Sequence, residues 1–421
     1  MRLNTWSFLS GLMLVSFAVV APELPAGTRL TMAAFSLSSG VVALVLMAAA
    51  ALLGARWSVV ESAFGGLDRV YDTHKWLGVW ALAFASVHLV FKAGMQGWDT
   101  AAILALPQSY VRLVRQLSFV ALMLIVLLAL NRKIPYRTWR WWHKLSGPLF
   151  VIVVLHWLSF KTPIALASPA GIWLATVAAL GLAGALYKLL LYPALSKHAE
   201  YKIIDIVPGP AAISLLLEPM GKHIAFEPGQ FAFVSIQSPG LREPHPFTIA
   251  CPDAPGEPIQ FLVRALGDYT GTLVANANIG MHADVYAPFG RFQRPVASKR
   301  EIWVAGGIGI SPFIAWLRDG AATGLERVTL FHFFTPGREF PSIDALETLT
   351  RERGVECVQV PDGSLSAAFR DRFGEIARSN APADIDICFC GPKGLLVDLR
   401  AAMAEHGVPA SNLRFERFEF R

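Results

Sequence analysis

Long uncharged apolar runs fill the first 192 residues of this 421-residue chain, and they constrain its fold more than any other feature. A backbone inside a bilayer must satisfy its own hydrogen bonds, so such runs have to be helices, and one crossing takes about 20 residues. Six candidate spans can be read, at residues 6–22, 32–54, 73–92, 116–130, 141–160 and 170–192, the first and fourth of them short. Hydrophobic residues make up 54% of the chain and the mean hydropathy is +0.46, too apolar for an ordinary soluble protein. The first run, preceded by Arg2 and reaching Ala21, has a second reading as a secretory signal. Beyond it all, the sequence becomes normally mixed and punctuated by Gly and Pro, which places a boundary between Tyr192 and Ala199.

The loop "NRKIPYRTWRWWHK" at 131–144 holds Arg132, Lys133, Arg137, Arg140 and Lys144 and no acid. The positive-inside rule puts it in the cytoplasm. With six spans, both termini and the C-terminal half then lie on that side of a bacterial-type inner or plasma membrane. The four cysteines, Cys251, Cys357, Cys388 and Cys390, all fall in that half, at spacings of neither a zinc site nor covalent haem attachment. No disulfide framework is implied, as suits a reducing compartment. No nucleic-acid-binding motif is present.

The third and fifth candidate spans run in the same direction, and each carries two histidines: His74 and His88, His143 and His156. Ionisable groups inside lipid are costly and usually functional. At about 1.5 Å per residue the four make two levels about 20 Å apart, His74 beside His143 and His88 beside His156. Each level suits one bis-histidine haem; a transporter with proton-relaying histidines is the competing reading. Fourteen residues turn about −40° on an ideal helix but thirteen turn about −140°, so the fifth span has to be rewound. The "SGP" at 146–148 is the expected place, since Pro148 removes a backbone hydrogen bond.

In the second half, "GQFAFVSI" (229–236), "EPHPFTIA" (243–250), "IQFLVRALGDYTGTL" (259–273) and "VYAPFGRF" (285–292) suggest a small antiparallel barrel. "EIWVAGGIGISPFIAWLRD" (301–319) then reads as a strand, a glycine turn and a helix opened by Pro312. Glycines there let backbone approach a pyrophosphate, whose charge the helix N-terminus favours. Further strands at "RVTLFHFF" and "DIDICFC" make the region from about 298 a doubly wound α/β unit.

The spaced histidines, "HPFT", "GGIGISP", "FCGP" and an aromatic C-terminus, in this order along nearly the whole chain, resemble the NADPH oxidase and ferric reductase superfamily. The second half is similar to ferredoxin-NADP reductase. The resemblance implies a membrane α-helical bundle of six spans holding two haem b (1–195), an antiparallel β-barrel FAD domain (199–297) and a doubly wound α/β NAD(P)-binding domain (298–421). It implies that His245, Pro246, Phe247 and Thr248 hold the isoalloxazine and flavin phosphate, with Arg264, Gly267, Thr270, Gly271 and Thr272 near the pyrophosphate. Gly306, Gly307 and Gly309 would face the nicotinamide nucleotide's phosphates, and Cys390, Gly391 and Pro392 would line the nicotinamide pocket. Phe420 would stack on the flavin, with Phe415 or Phe418 as alternatives because Arg421 follows it; Cys390 and Phe420 are thus the expected catalytic pair. Arg338, in the "TPGRE" turn, lies where an NADPH 2′-phosphate would be met, NADH being the other donor. The implied route is NAD(P)H, FAD, inner haem, outer haem and a one-electron acceptor across the membrane. That acceptor is dioxygen, giving superoxide, or a ferric chelate, or a periplasmic protein to which the chain donates electrons. Arg29, Lys92, Arg112, Arg115 and Lys161 give the outer side a basic cast, which draws in anions or pairs with haem propionates.

Overall fold

The computed structural model describes residues 3–131, 133–295, 299–341, 343–361 and 366–416, with the side chains of Tyr136 and Arg137 also left aside. The described residues form two units, divided between Ser196 and Lys197.

The first unit is helical throughout. Helix α1 (Thr5–Val20) starts at Asn4, whose side chain accepts from the Trp6 N–H, and α2 (Met32–Gly54) starts at Thr31, whose hydroxyl accepts from Ala34 N–H. A short α3 (Ser58–Phe64) ends at Gly65, in the left-handed region, and α4 (Leu67–Val90) and α5 (Gln108–Leu130) follow. Next come α6 (Tyr136–His143), α7 (Ser146–Ser159) and α8 (Pro169–Leu186), the last with Pro169 in its first turn and Ser168 as its cap. A π-helical turn, Tyr187–Leu191, leads into α9 (Tyr192–Leu195). Helix α2 has no charged residue and packs against α1, α4 and α8. The approach of α8 is set by glycine: a Cβ on Gly181 would stand 2.8 Å from the Ala48 Cα, and one on Gly184 2.9 Å from the Leu52 Cα. Small residues take this role where helices meet in lipid, because close backbone packing replaces the hydrophobic drive.

Among the described residues, four stretches are long and apolar enough to cross a membrane: Thr5–Glu23, Met32–Gly54, Gln108–Leu130 and Pro169–Leu195. The other two expected spans differ from the sequence reading for physical reasons. Helix α4 is 24 residues long but begins before residue 73, and its first turns carry Asp68, Arg69, Asp72 and Lys75. The segment expected as one helix over 141–160 is broken at Lys144 and Leu145, and α7 has only 14 residues. The run at 116–130 is longer than it reads, because α5 extends back through Arg115 and Arg112 to Gln108.

The second unit opens with β1 (His198–Pro208), β2 (Ala212–Pro219), β3 (Phe231–Ile236), β4 (His245–Thr248), β5 (Ile259–Arg264), α10 (Asp268–Asn276) and β6 (His282–Phe289). The strands form an antiparallel sheet in the order β4-β3-β6-β1-β2-β5, and a bridge between Ile249 and Phe261 joins its two edges into a barrel. Alternation builds the interior: Tyr201 and Ile203 are buried while Lys202 between them is not. The second part of 259–273 is helical rather than extended, since Gly267 and Thr270 start α10 there.

The remainder is β7 (Arg300–Gly306), α11 (Ser311–Arg318), β8 (Val328–Phe334), α12 (Ile343–Glu352), β9 (Glu356–Pro361), α13 (Ala367–Ser379), β10 (Ile385–Cys390), α14 (Lys393–Glu405) and β11 (Leu413–Phe415). Its strands are parallel, in the order β11-β10-β7-β8-β9. One core, with Trp303, Phe313 and Trp316, and another, with Phe331, Phe369 and Phe373, cover its two faces. The chain leaves β7 toward β8 and returns on the other side at β10. The crevice of such a sheet therefore opens between the carboxyl ends of β7 and β10.

His332, inside β8, is fully buried between Phe334 and Phe340, and neither ring nitrogen has a hydrogen-bond partner among the described residues. Burial pulls its pKa from 6.5 down to about 4. Between those values the unfolded chain binds a proton that the folded chain refuses, so stability falls as pH drops through this window and is level above it. Thermal unfolding of the full chain in detergent between pH 4.5 and 7.5, followed by tryptophan fluorescence, is expected to show a shallower acid slope for His332→Phe than for the wild type.

Candidate cofactor sites

The four histidines of the first unit meet in two pairs. His74 of α4 and His143, the last residue of α6, have ring centroids 5.9 Å apart; His88 of α4 and His156 of α7 are 6.1 Å apart. The break at Lys144 and Leu145 makes the second pairing possible. Pro148 cannot donate to the Lys144 carbonyl, the helix restarts at Ser146, and two histidines thirteen residues apart come to face one partner helix. The rewinding expected at 146–148 thus falls immediately before it.

The α4 histidines are oriented from behind by α2. His74 Nδ1 lies 2.8 Å from the Ala50 carbonyl and His88 Nδ1 lies 2.9 Å from that of Ser36. A ring nitrogen facing a carbonyl must carry the proton and donate, which leaves Nε2 with its lone pair turned to the opposite histidine. Gly40 and Gly54 give the rings room. A Cβ on Gly40 would sit 2.7 Å from His88 Nδ1, whereas one on Gly54 would be 3.8 Å from the His74 ring. Neither glycine was singled out from sequence, although they stand fourteen apart on α2 just as the histidines do on α4. Nδ1 of His143 and of His156 is buried with no partner among the described residues.

The fit of a bis-imidazole metal group follows from bond lengths. A metal–imidazole bond of about 2 Å, with about 1.1 Å from nitrogen to ring centre, sets two axial imidazoles about 6 Å apart. Both pairs have that spacing, and proton-donating backing on two of the four rings is what metal-ligating histidines use. The four residues fit such a group at each level.

In the second unit His245 of β4 stacks on Tyr269 of α10, with centroids 3.6 Å apart and planes 8° from parallel. His245 Nδ1 is 3.0 Å from the Glu243 carbonyl, and Tyr269 donates its hydroxyl to the Leu241 carbonyl at 3.1 Å. Tyr269 was missed in the sequence; an aromatic inside "GDYTGT" was the available signal. Pro246, Phe247 and Thr248 continue along the half-buried β4, Phe247 packing on the barrel core. The Thr270 hydroxyl accepts from the Leu266 and Gly267 N–H groups at 2.9 and 3.1 Å and so shapes the start of α10. Thr272 donates to the Asp268 carbonyl, and nothing lies within 4 Å of a Cβ placed on Gly267 or Gly271. This is an open helix N-terminus, suited to phosphate.

At the crevice between β7 and β10 the sequence-read residues come together. A Cβ on Gly309 would meet the Cys390 carbonyl oxygen at 2.2 Å, one on Gly306 would meet Pro392 at 2.5 Å, and one on Gly391 would meet the Gly306 nitrogen at 3.0 Å. Only glycine lets these loops lie backbone to backbone. Gly307 has φ +55, and Arg264 Nη1 comes within 2.9 Å of where its Cβ would be, so the barrel's arginine reaches the nucleotide turn. Cys390 is buried, and burial pushes its thiol pKa well up; it is a neutral S–H group. Arg338 is exposed in the turn after β8, its backbone N–H donating to the Thr335 carbonyl. Phe420 and Phe418 lie outside the described residues. Phe415 is taken up in β11, beside β10 and under Arg400.

Residues 39–154, which include His74, His88 and His143, match the family described as "Ferric reductase like transmembrane component". The chain is 26% identical over 204 residues to the "Toluate 1,2-dioxygenase electron transfer component" of Pseudomonas putida, covering 47% of this chain and 60% of that protein. It is 28% identical over 176 residues to "Methane monooxygenase component C" of Methylosinus trichosporium, covering 40% and 51%. The match thus spans little more than half the length of these curated relatives. A solved flavohemoglobin from Malassezia yamatoensis, with bound FAD and heme, shares the fold at a TM-score of 0.50 and 16% identity, over 96% of this chain and 99% of that one. The chain joins a ferric reductase-like membrane segment to a ferredoxin reductase-like module. That is the arrangement of NADPH oxidase-like fusions, in a chain that carries apolar helices long enough to cross a membrane.

The contact of Arg264 with the nucleotide turn has a measurable consequence. Were a nicotinamide nucleotide's phosphate to lie on this turn rather than the flavin's beside Arg264, a charge-assisted bond would contribute about 1.5–3 kcal/mol, and Arg264→Met is expected to weaken NAD(P)H binding about tenfold or more. Stopped-flow reduction of the flavin against NADPH concentration measures it.

Proposed function

We propose that the chain takes hydride from cytoplasmic NADPH, or NADH, and passes single electrons across the membrane to dioxygen, which leaves as superoxide. The observation that carries this reading is the pair of histidine levels at axial-ligand spacing, in a chain that also holds a ferredoxin reductase-like module. Bound FAD would turn a two-electron donor into a one-electron source, and two b-type haems would carry the electrons between the levels.

The chain's residues do the positioning. His74 with His143, and His88 with His156, hold the two metal groups, and the carbonyls of Ala50 and Ser36 keep the α4 rings in the Nε2-ligating form. His88 and His156 would hold the outer group through both imidazoles, so an acceptor would be reduced without binding to the metal. In the second unit, the stacked His245 and Tyr269 with Pro246, Phe247 and Thr248 frame the flavin ring, and the first turn of α10 at Gly267, Thr270, Gly271 and Thr272 takes its pyrophosphate. Gly306, Gly307 and Gly309 take the nicotinamide nucleotide's phosphates beside Arg264; Cys390, Gly391 and Pro392 seat the nicotinamide. Phe420 would cover the flavin, and Arg338 would read a 2′-phosphate. The basic segment 131–144 sets the orientation, with the second unit in the cytoplasm and α4 and the α6–α7 pair completing six crossings.

Ferric-chelate reduction is the second reading, favoured by the family that residues 39–154 match. Donation to a partner protein is the third, since the similar toluate dioxygenase protein is an electron transfer component. Purified protein with FAD and NADPH separates them: reporter reduction sensitive to superoxide dismutase is expected in air. Anaerobic ferrous-chelator colour without it would favour iron, and neither signal would favour a protein acceptor.

Replacing His74 or His143 is expected to remove one b-type haem, and replacing His88 or His156 the other, by pyridine haemochrome content. Two six-coordinate haems retained in any of these variants would remove that residue from the ligand set. Gly40→Ala is expected to lose the His88 haem while Gly54→Ala keeps both, because only the first places a methyl inside the ring's contact distance. An unchanged NADPH-to-NADH preference in Arg338→Ala would exclude Arg338 as the reader of the 2′-phosphate.

A further inference from the structure

Three unusual features of the first unit meet at one place. Arg56, just after α2, has φ +63 and is alone among the described non-glycine residues in the left-handed region. Such a conformation persists only where the surroundings over-determine it. The π-helical turn Tyr187–Leu191 is a rare geometry that recurs at functional sites. Between them lies the ring of Tyr192, with Lys188 Nζ 3.5 Å from its centroid and the Arg56 guanidinium carbon 5.9 Å from it. Arg56 Nε also donates to the Tyr71 hydroxyl at 2.5 Å. Lys188 is half-buried and forms neither an ion pair nor a hydrogen bond with any described residue.

Two cations on one aromatic ring in a poorly solvated place repel each other, and a ring face compensates a charge only in part. The arrangement calls for an anion, and its position says which. Gly54, two residues before Arg56, faces the His74 ring, and Tyr71 precedes His74 by one helical turn. Leu189, next to Lys188, would touch a Cβ on Gly147, four residues beyond His143. Each segment bearing these groups therefore lies about one turn from the His74–His143 pair.

We propose that Lys188 and Arg56 form the carboxylate-binding end of the His74–His143 site, taking the propionates of the haem held there and raising its reduction potential. This rests on the haem reading above. The π turn gives Lys188 a register that an unbroken α8 would not, and Tyr71 and Tyr192 hold the two cations in place.

Redox titration of the full-length protein in phosphatidylcholine nanodiscs, following both haems by absorbance, tests it. Lys188→Met is expected to shift one haem's reduction equilibrium about tenfold toward the oxidised form, a 59 mV lower potential for one electron, and to leave the other unmoved. Lys188→Arg should restore the wild-type value, and Lys188→Gln serves if the Met variant does not fold. Wild type and Lys188→Met should then converge when loaded with haem dimethyl ester, which has no free propionates. Unchanged potentials in Lys188→Met, or a shift that persists with the ester, overturn the proposal. A shift seen only with phosphatidylglycerol in the disc would make the anion a lipid phosphate and overturn it equally. Wild-type protein without b-type haem would sink the haem reading itself, and this inference with it.

Discussion

Two imidazole N–H groups donating to backbone carbonyls of one uncharged helix are the contacts on which the first unit depends. A helical carbonyl normally accepts only from the residue four positions on, yet it has a second lone pair. Ala50 and Ser36 give theirs to His74 and His88. Two buried polar rings are thereby satisfied without placing any charge in α2, and each ring's other nitrogen is presented as a lone pair. The fourteen-residue repeat does the rest, because fourteen residues are close to four whole helical turns on α2 and on α4 alike. Carbonyl, glycine and histidine recur together at both levels.

The second unit solves a similar problem with backbone alone. Two loops leave neighbouring parallel strands at the point where the strand order reverses, and do so backbone to backbone. Gly306 and Gly309 against Cys390, Gly391 and Pro392 achieve this by removing every Cβ that would separate the loops. Arg264 then supplies positive charge from the barrel, so one side chain ties the barrel to the turn after β7.

Much of this was legible in the sequence, because it depends on spacing and residue type. The histidine pairs, the glycine turn followed by Pro312, and the barrel strands around "HPFT" all follow from local pattern. What was hidden depends on contacts between segments distant in sequence. Gly40 and Gly54 look like ordinary small residues of a membrane helix until His88 and His74 are set against them. Tyr269 reads as one more residue of the 259–273 barrel segment until His245 is set against it. Helices α4 and α5 start before the apolar runs that mark them in the sequence, since α4 carries four charged residues in its first turns and α5 reaches back through Arg115 and Arg112. The break between α6 and α7 follows from periodicity, since thirteen residues cannot share a face, and Pro148 marks its place to within two or three residues: the helix gives way at Lys144 and Leu145.

The two sides of each histidine pair are not equivalent, and the difference has a physical meaning. On α4 each Nδ1 is held by a carbonyl, so ring rotation and tautomer are set before any ligand arrives. On α6 and α7 each Nδ1 is buried without a partner among the described residues, and an unsatisfied buried nitrogen costs about 1–3 kcal/mol. A metal bond at Nε2 would not remove that cost. The broken helix is suited to that side: a segment restarted at Ser146 can place His156 independently of His143, opposite the two levels that carbonyls of α2 set through the α4 histidines.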